Sequence, residues 1–209
     1  MRRLAMIVPT IAVVAVLTTT AGAATIVLVA KQLTTATDSA PVFVPLTLST
    51  ANNRGPAGRA DRTDTTTVTF SEQVNQSTLC SGWSNASNTQ TLNTVTLMLN
   101  DNAGASGNDT LTVGAVPATC GSGFHFGTID TGSNAYVTGG VVSFTNSTIT
   151  LAQTANSTTL VLTFGTPSAA RGIVAAGTAA IYTPDPAIHD IANHAVGTNQ
   201  AATTTTVQW

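Results

Sequence analysis

The chain has 209 residues, only 8% of them charged, with seven Lys+Arg, nine Asp+Glu and a net charge of −2. From Leu33 onward four arginines stand against nine acids, a net of −5, which argues against nucleic-acid binding because phosphate contact needs clustered cations. About 170 residues follow the N-terminal segment, enough for one large or two small domains, and threonine, with 41 in the whole chain, is the commonest polar residue.

Arg2 and Arg3 precede 27 uncharged residues, Leu4 to Ala30, closed by Lys31. Positive charge ahead of an apolar run is the layout of a secretory signal, and Ala21-Gly22-Ala23 offers a small-residue cleavage site. The run is also long enough to span a bilayer as an uncleaved helix. Residues 1–32 are therefore read as a signal peptide or membrane anchor, with cleavage favoured, and either reading places the rest outside the cytoplasm. Residues 33–40 form a small polar linker, and residues 41–209 form the domain.

Beyond the linker, short stretches alternate apolar and polar residues. Thr67-Val68-Thr69-Phe70, Thr94-Val95-Thr96-Leu97-Met98-Leu99 and Thr159-Leu160-Val161-Leu162-Thr163-Phe164 are the clearest. A period of two gives each strand one dry face and one wet face, and threonine suits the wet face through its branched β-carbon and its hydroxyl. Strands are expected near 42–48, 66–70, 93–99, 110–116, 124–129, 141–145, 148–152, 159–164, 178–182 and 202–208. Turn chemistry separates them at Asn52-Asn53-Arg54-Gly55-Pro56, Gly121-Ser122-Gly123, Gly139-Gly140 and Asn146-Ser147. A short turn is expected from Pro186 to Ala192. The spacing predicts an all-β fold, an antiparallel β-sandwich, in a single domain. Cys80 and Cys120 are expected to form one disulfide, which suits an oxidising compartment.

Two segments carry a resemblance. Gly58 to Val74, with Asp64, the expected strand 66–70 and then Ser71-Glu72, is similar to the opening of bacterial Ig-like surface domains, where a Gly-Asp turn leads into a strand ending Phe-Ser-Glu. Tyr182-Thr183-Pro184 and Asp190-Ile191-Ala192-Asn193-His194 resemble the Tyr-x-Pro and Asp-x-Ala-Gly-Asn segments of the same group. Thr63 stands where that group has glycine before aspartate, and Asn193-His194 replaces Gly-Asn. The resemblance implies an extracellular Ig-like module of surface proteins and adhesins, without catalysis.

Enzyme constellations are poor. Of three histidines, His125 lies between Phe124 and Phe126 and is expected to face solvent, while His189 and His194 flank a loop with Asp190, where polar loop roles outweigh a metal site. Glu72 is the only glutamate, so a glycosidase pair would need Asp101, Asp109, Asp130 or Asp185, each of which sits in a turn context. Gly82-Trp83-Ser84-Asn85-Ala86 lacks the nucleophile-elbow pattern. Asn100-Asp101-Asn102 and Asn108-Asp109 gather oxygen donors without EF-hand spacing, and turn formation explains them. Trp83 is expected to pack in the core rather than present a sugar-stacking face. Asn-x-Ser/Thr triplets at Asn75, Asn85, Asn108, Asn146 and Asn156 fit exposed loops. No catalytic, metal or cofactor residue is assigned. The expected role is adhesion or binding to envelope glycan or surface protein, with a self-assembling subunit of a surface layer or fibre as the alternative. Membrane contact is expected only through an uncleaved N-terminal segment.

Overall fold

The computed structural model describes residues 43–104 and 107–209; the expected signal or anchor and the linker lie outside the described residues. Residues Val42–Trp209 form one compact unit. Its strands are β1 (Pro45–Ala51), β2 (Thr65–Phe70), β3 (Thr89–Asn100), β4 (Thr110–Val113), β5 (Gly127–Asp130), β6 (Val141–Thr154), β7 (Ser157–Thr163), β8 (Thr166–Pro167), β9 (Ile181–Pro184) and β10 (Ala201–Ala202). The helical elements include the single turn α1 (Gln76–Leu79) and the 3-10 turn Ala118–Cys120. The fold is all-β and antiparallel, as the alternation predicts.

The strands follow one path, β1-β2-β7-β6-β3-β4-β5-β9-β10, with β8 added on β6. Strand β1 lies alongside β9 and β10, so the sheet curls until its two ends meet. The result is nearly a closed barrel rather than the two separate sheets expected. The reason lies in β3 and β6, which are long enough to belong to both halves. In β6 the inward positions run Val142, Phe144 and then Ser147, Ile149, Leu151; in β3 they run Leu92 and then Val95, Leu97, Leu99. One extra residue in each strand resets the alternation, so the apolar face continues inward through the bend. Asn146 (φ 57) and Thr94 (φ 60) sit at these resets, and the β3–β6 register shifts at the same level. The turn expected at Asn146-Ser147 is thus a bulge inside one continuous strand. The last expected strand, 202–208, is reduced to Ala201–Ala202, because Gln208 and Trp209 turn inward instead of pairing.

Two aromatic clusters fill the interior. Phe43, Phe70, Phe126 and Tyr182 pack at centroid separations of 5.0–6.2 Å, and Phe144, Phe164, Tyr136 and Trp209 at 4.6–5.2 Å. Both tyrosines keep a partner inside: Tyr182 donates to the Phe126 carbonyl (2.6 Å) and Tyr136 to the Gln208 carbonyl (2.9 Å). Burial pushes the Tyr136 phenol up to about 12 and that of Tyr182 higher still. The expected Cys80–Cys120 disulfide is present, and Trp83 packs edge-on against Phe124 (5.4 Å), 7% exposed, as a core residue.

Thr63 lies at φ 78, in the left-handed region that glycine enters without steric cost. Its side chain is exposed, so Thr63→Gly removes strain without removing packing. A left-handed penalty of about 1–2 kcal/mol, set against about 0.5–1 kcal/mol of extra glycine entropy, gives a net stabilisation of about 0.5–1 kcal/mol. Urea denaturation midpoints of the two proteins check this; an unchanged or lower midpoint would contradict it.

Candidate functional site

A hollow of about 600 Å³ lies on the outward face of β3, β4, β5 and β9. Register places its side chains in two rows across the strands. One row joins Thr112, Thr128 and Thr183, since Thr128 pairs Thr183; the other joins Asn100, Thr110, Asp130 and Ile181 through the pairs Asn100–Thr110, Thr110–Asp130 and Asp130–Ile181. These are alternate positions of rigid strands whose intervening residues, Leu111, Ile129 and Tyr182, are fully buried, so packing below fixes the face above.

Hydrogen bonds order this face. The Asn100 amide donates to Thr112 Oγ1 (3.0 Å) and the Thr110 carbonyl (3.3 Å). Asn108 Nδ2 and the Gly132 amide donate to Asp130 Oδ1 (2.8 and 2.9 Å). Gln200 Nε2 donates to Thr183 Oγ1 (2.7 Å). That leaves the Thr183 hydroxyl proton to donate and the Gln200 Oε1 to accept, at exposed positions. A second hollow of about 190 Å³, lined by Pro184, Pro186 and Val196, shares Thr183 with the first.

The residues weighed for chemistry are dispersed. Asp101 Oδ2 accepts the Gly139 amide (2.8 Å), and Asp109, fully buried, accepts the Asn102 and Val137 amides (3.1 and 2.9 Å). These two carboxylates hold turns. Asp64 does the same for Asn53, Arg54 and Asp61, whose amides it accepts at 2.7–3.1 Å. His125 is exposed and meets Asp185 (2.9 Å), while His189 Nδ1 meets its own loop at the Ala187 carbonyl (2.8 Å). Among the described residues no three His, Cys, Asp or Glu side chains are arranged to hold a metal ion, and no helix is long and apolar enough to cross a membrane.

The acidic neighbour of Glu72 is Asp190, a pairing that sequence reasoning missed. Residues 73–75 and 189–191 meet through a Val74–Asp190 bridge, Asn75 N–H to the His189 carbonyl (2.8 Å) and Ile191 N–H to the Gln73 carbonyl (3.1 Å). Asp190, fully buried, accepts the His194 amide at Oδ1 (2.7 Å) and contacts His194 Nδ1 through Oδ2 (2.8 Å). Burial would raise its carboxyl, but these contacts, with the Ala192 amide, outweigh it and hold Asp190 below the usual range. Glu72 moves the other way: burial and the Asp190 carboxyl push it up, and its Oε1 is enclosed without a hydrogen-bond partner. The only signal for this pairing was the motif likeness itself, since more than a hundred residues separate the two segments.

The sign of the resulting pH dependence follows. A raised folded pKa for Glu72 means its contribution is complete below the unfolded glutamate value, about 4.3, and is lost as pH rises through the folded value. Glu72→Gln cannot ionise, and its amide can donate to Asp190. The variant is therefore expected to exceed the parent in stability at pH 7, with the gap closing toward pH 4. Denaturation midpoints at both pH values check this; a gap that is constant or of opposite sign would contradict it.

Comparison of the chain with family models, curated proteins and solved structures finds no match.

Proposed function

We propose that this chain is an exported, non-catalytic Ig-like module of the cell surface that binds envelope glycan or protein. The observation that carries the reading is the hollow over β4, β5 and β9, where hydroxyl, amide and carboxylate groups converge on a rigid sheet face. The disulfide supports an oxidising compartment. The Ig-like reading draws on the meeting of the Ser71–Val74 and Asp190–His194 segments. It draws too on Thr63 (φ 78) and Asn193 (φ 68), which take left-handed backbone where the group they resemble carries glycine. An Ig-like sandwich would correspond to this curled sheet flattened across the β3 and β6 bends, with β1-β2-β7 in one layer and β4-β5-β9 in the other.

The test is co-sedimentation with envelope material from the source cell, comparing the parent with Thr128→Lys and Thr183→Lys. Saturable pelleting that the lysines weaken supports the module; pelleting in neither protein contradicts it.

A second reading, a self-associating surface-layer subunit, has one specific observation in its favour. The outward face of β1, β2, β7, β6 and β3 is uncharged and mostly threonine, in rows such as Ser49–Thr67–Val161–Thr150–Thr91 and Thr47–Thr69–Thr159–Ala152–Thr89. Strand spacings of about 4.8 Å and two-residue repeats of about 6.7 Å give three such rows roughly 500 Å². A stable interface needs about 800 Å² per partner, so this face supports weak association at most. The binding module remains the primary reading.

A further inference from the structure

We infer that the two hollows meeting at Thr183 form one groove for an uncharged oligosaccharide and that the groove rejects anionic wall polymers. The inference rests on the binding-module reading and narrows its ligand. The larger hollow offers paired donors and acceptors: threonine hydroxyls at Thr128 and Thr183, and the Gln200 amide. A polyhydroxylated ligand presents both kinds of group and can satisfy both at once. The smaller hollow adds Pro184, Pro186 and Val196, an apolar wall suited to the C–H face of a pyranose ring. Thr183 lines both, so a ligand crossing it sets its hydroxyl edge against the first hollow and its C–H face against the second. A volume of about 600 Å³ lies in the range of small-ligand sites and suits a ligand of about two or three sugar rings.

Charge decides the class. Among the described residues Asp130 is the one ionisable residue lining either hollow, and no cation lines them. The domain's arginines are held elsewhere: Arg54, Arg59 and Arg62 lie in the loop between β1 and β2, and Arg171 reaches that loop through Asp61 and the Ala60 carbonyl. A polyanion entering the groove would meet Asp130 with no cation to offset its phosphates or carboxylates. A peptide has little to hold it, because the groove lies on a sheet face rather than an open edge and lacks an aromatic-lined anchor pocket.

Isothermal titration of the whole chain with neutral trisaccharides (an N-acetylglucosamine trimer and a β-glucose trimer) and with poly(glycerol phosphate) tests this. Thr183→Val keeps size and strand preference while removing the hydroxyl, and Thr128→Val serves the same purpose should the first fail to fold. Binding of a neutral trimer, weakened about tenfold by either valine as one lost hydrogen bond requires, with no uptake of poly(glycerol phosphate), is the expected result. Binding of poly(glycerol phosphate), or trimer binding indifferent to both variants, overturns the inference. If neither trimer binds while the chain still pellets saturably with envelope, the inference fails and the module reading stands. If neither trimer binds and no pelleting occurs, both fail.

Discussion

Trp209→Ala is expected to destabilise the domain by about 3–5 kcal/mol, the cost of removing a buried aromatic from a packed core. Trp209 is 3% exposed, with its ring edge-on to Tyr136 and Phe164 at 5.2 and 5.1 Å. Its indole N–H donates to the Thr65 carbonyl and to Thr66 Oγ1, both at 3.1 Å, which ties it to the start of β2. Its carbonyl accepts the Gly58 amide (2.6 Å). For a chain of this size the loss corresponds to a fall in Tm of about 10 °C. Trp209→Phe keeps one aromatic ring but loses the second and the indole bonds, so a cost of about 2 kcal/mol, smaller than that of alanine, is expected. Thermal melts of the three proteins check the ordering. A Tm for Trp209→Ala within about 2 °C of the parent would mean that this residue is not part of the core.

Removing the disulfide is the second large effect. Cys80 and Cys120 are 40 residues apart and fully buried. In the chain-entropy account a crosslink closing such a loop stabilises by about 4 kcal/mol through the unfolded ensemble. The bridge ties the end of α1 to the 3-10 turn Ala118–Cys120, and β3 and β4 lie within the loop it closes. The double variant Cys80→Ala, Cys120→Ala is expected to lose roughly that amount. It should also show a larger urea m-value than the parent, because its unfolded chain is less constrained and exposes more surface. A loss with an unchanged m-value would assign the effect to packing around Trp83 rather than to the crosslink.

The strands were legible because alternation is a local signal. Val68 and Phe70, Leu160 and Leu162, and Leu97 and Leu99 all point inward as their period of two requires. The bends were not legible, because the same apolar residues that mark one strand also mark a strand with an added residue. Asn146-Ser147 read as a turn, and only the pairing of β6 with both β3 and β7 shows it to be a bulge. The closure of the sheet had no local mark either, since β1 and β10 are about 150 residues apart. The candidate groove was hidden for the same reason: Thr128, Thr183 and Gln200 are ordinary polar positions until β5, β9 and β10 lie side by side. What sequence did carry was the role of single loop carboxylates. Asp101 and Asp109 were expected in turns, and both accept backbone amides there.

The measurement that bears most directly on the proposed function is a backbone amide NMR spectrum of the labelled chain, recorded during titration with solubilised envelope glycan. Shifts concentrated at Thr128, Asp130, Thr183 and Gln200, saturating together, are the predicted result. Shifts concentrated instead at Thr67, Thr150 and Thr159 would place the contact on the opposite threonine face and contradict the assignment of the groove.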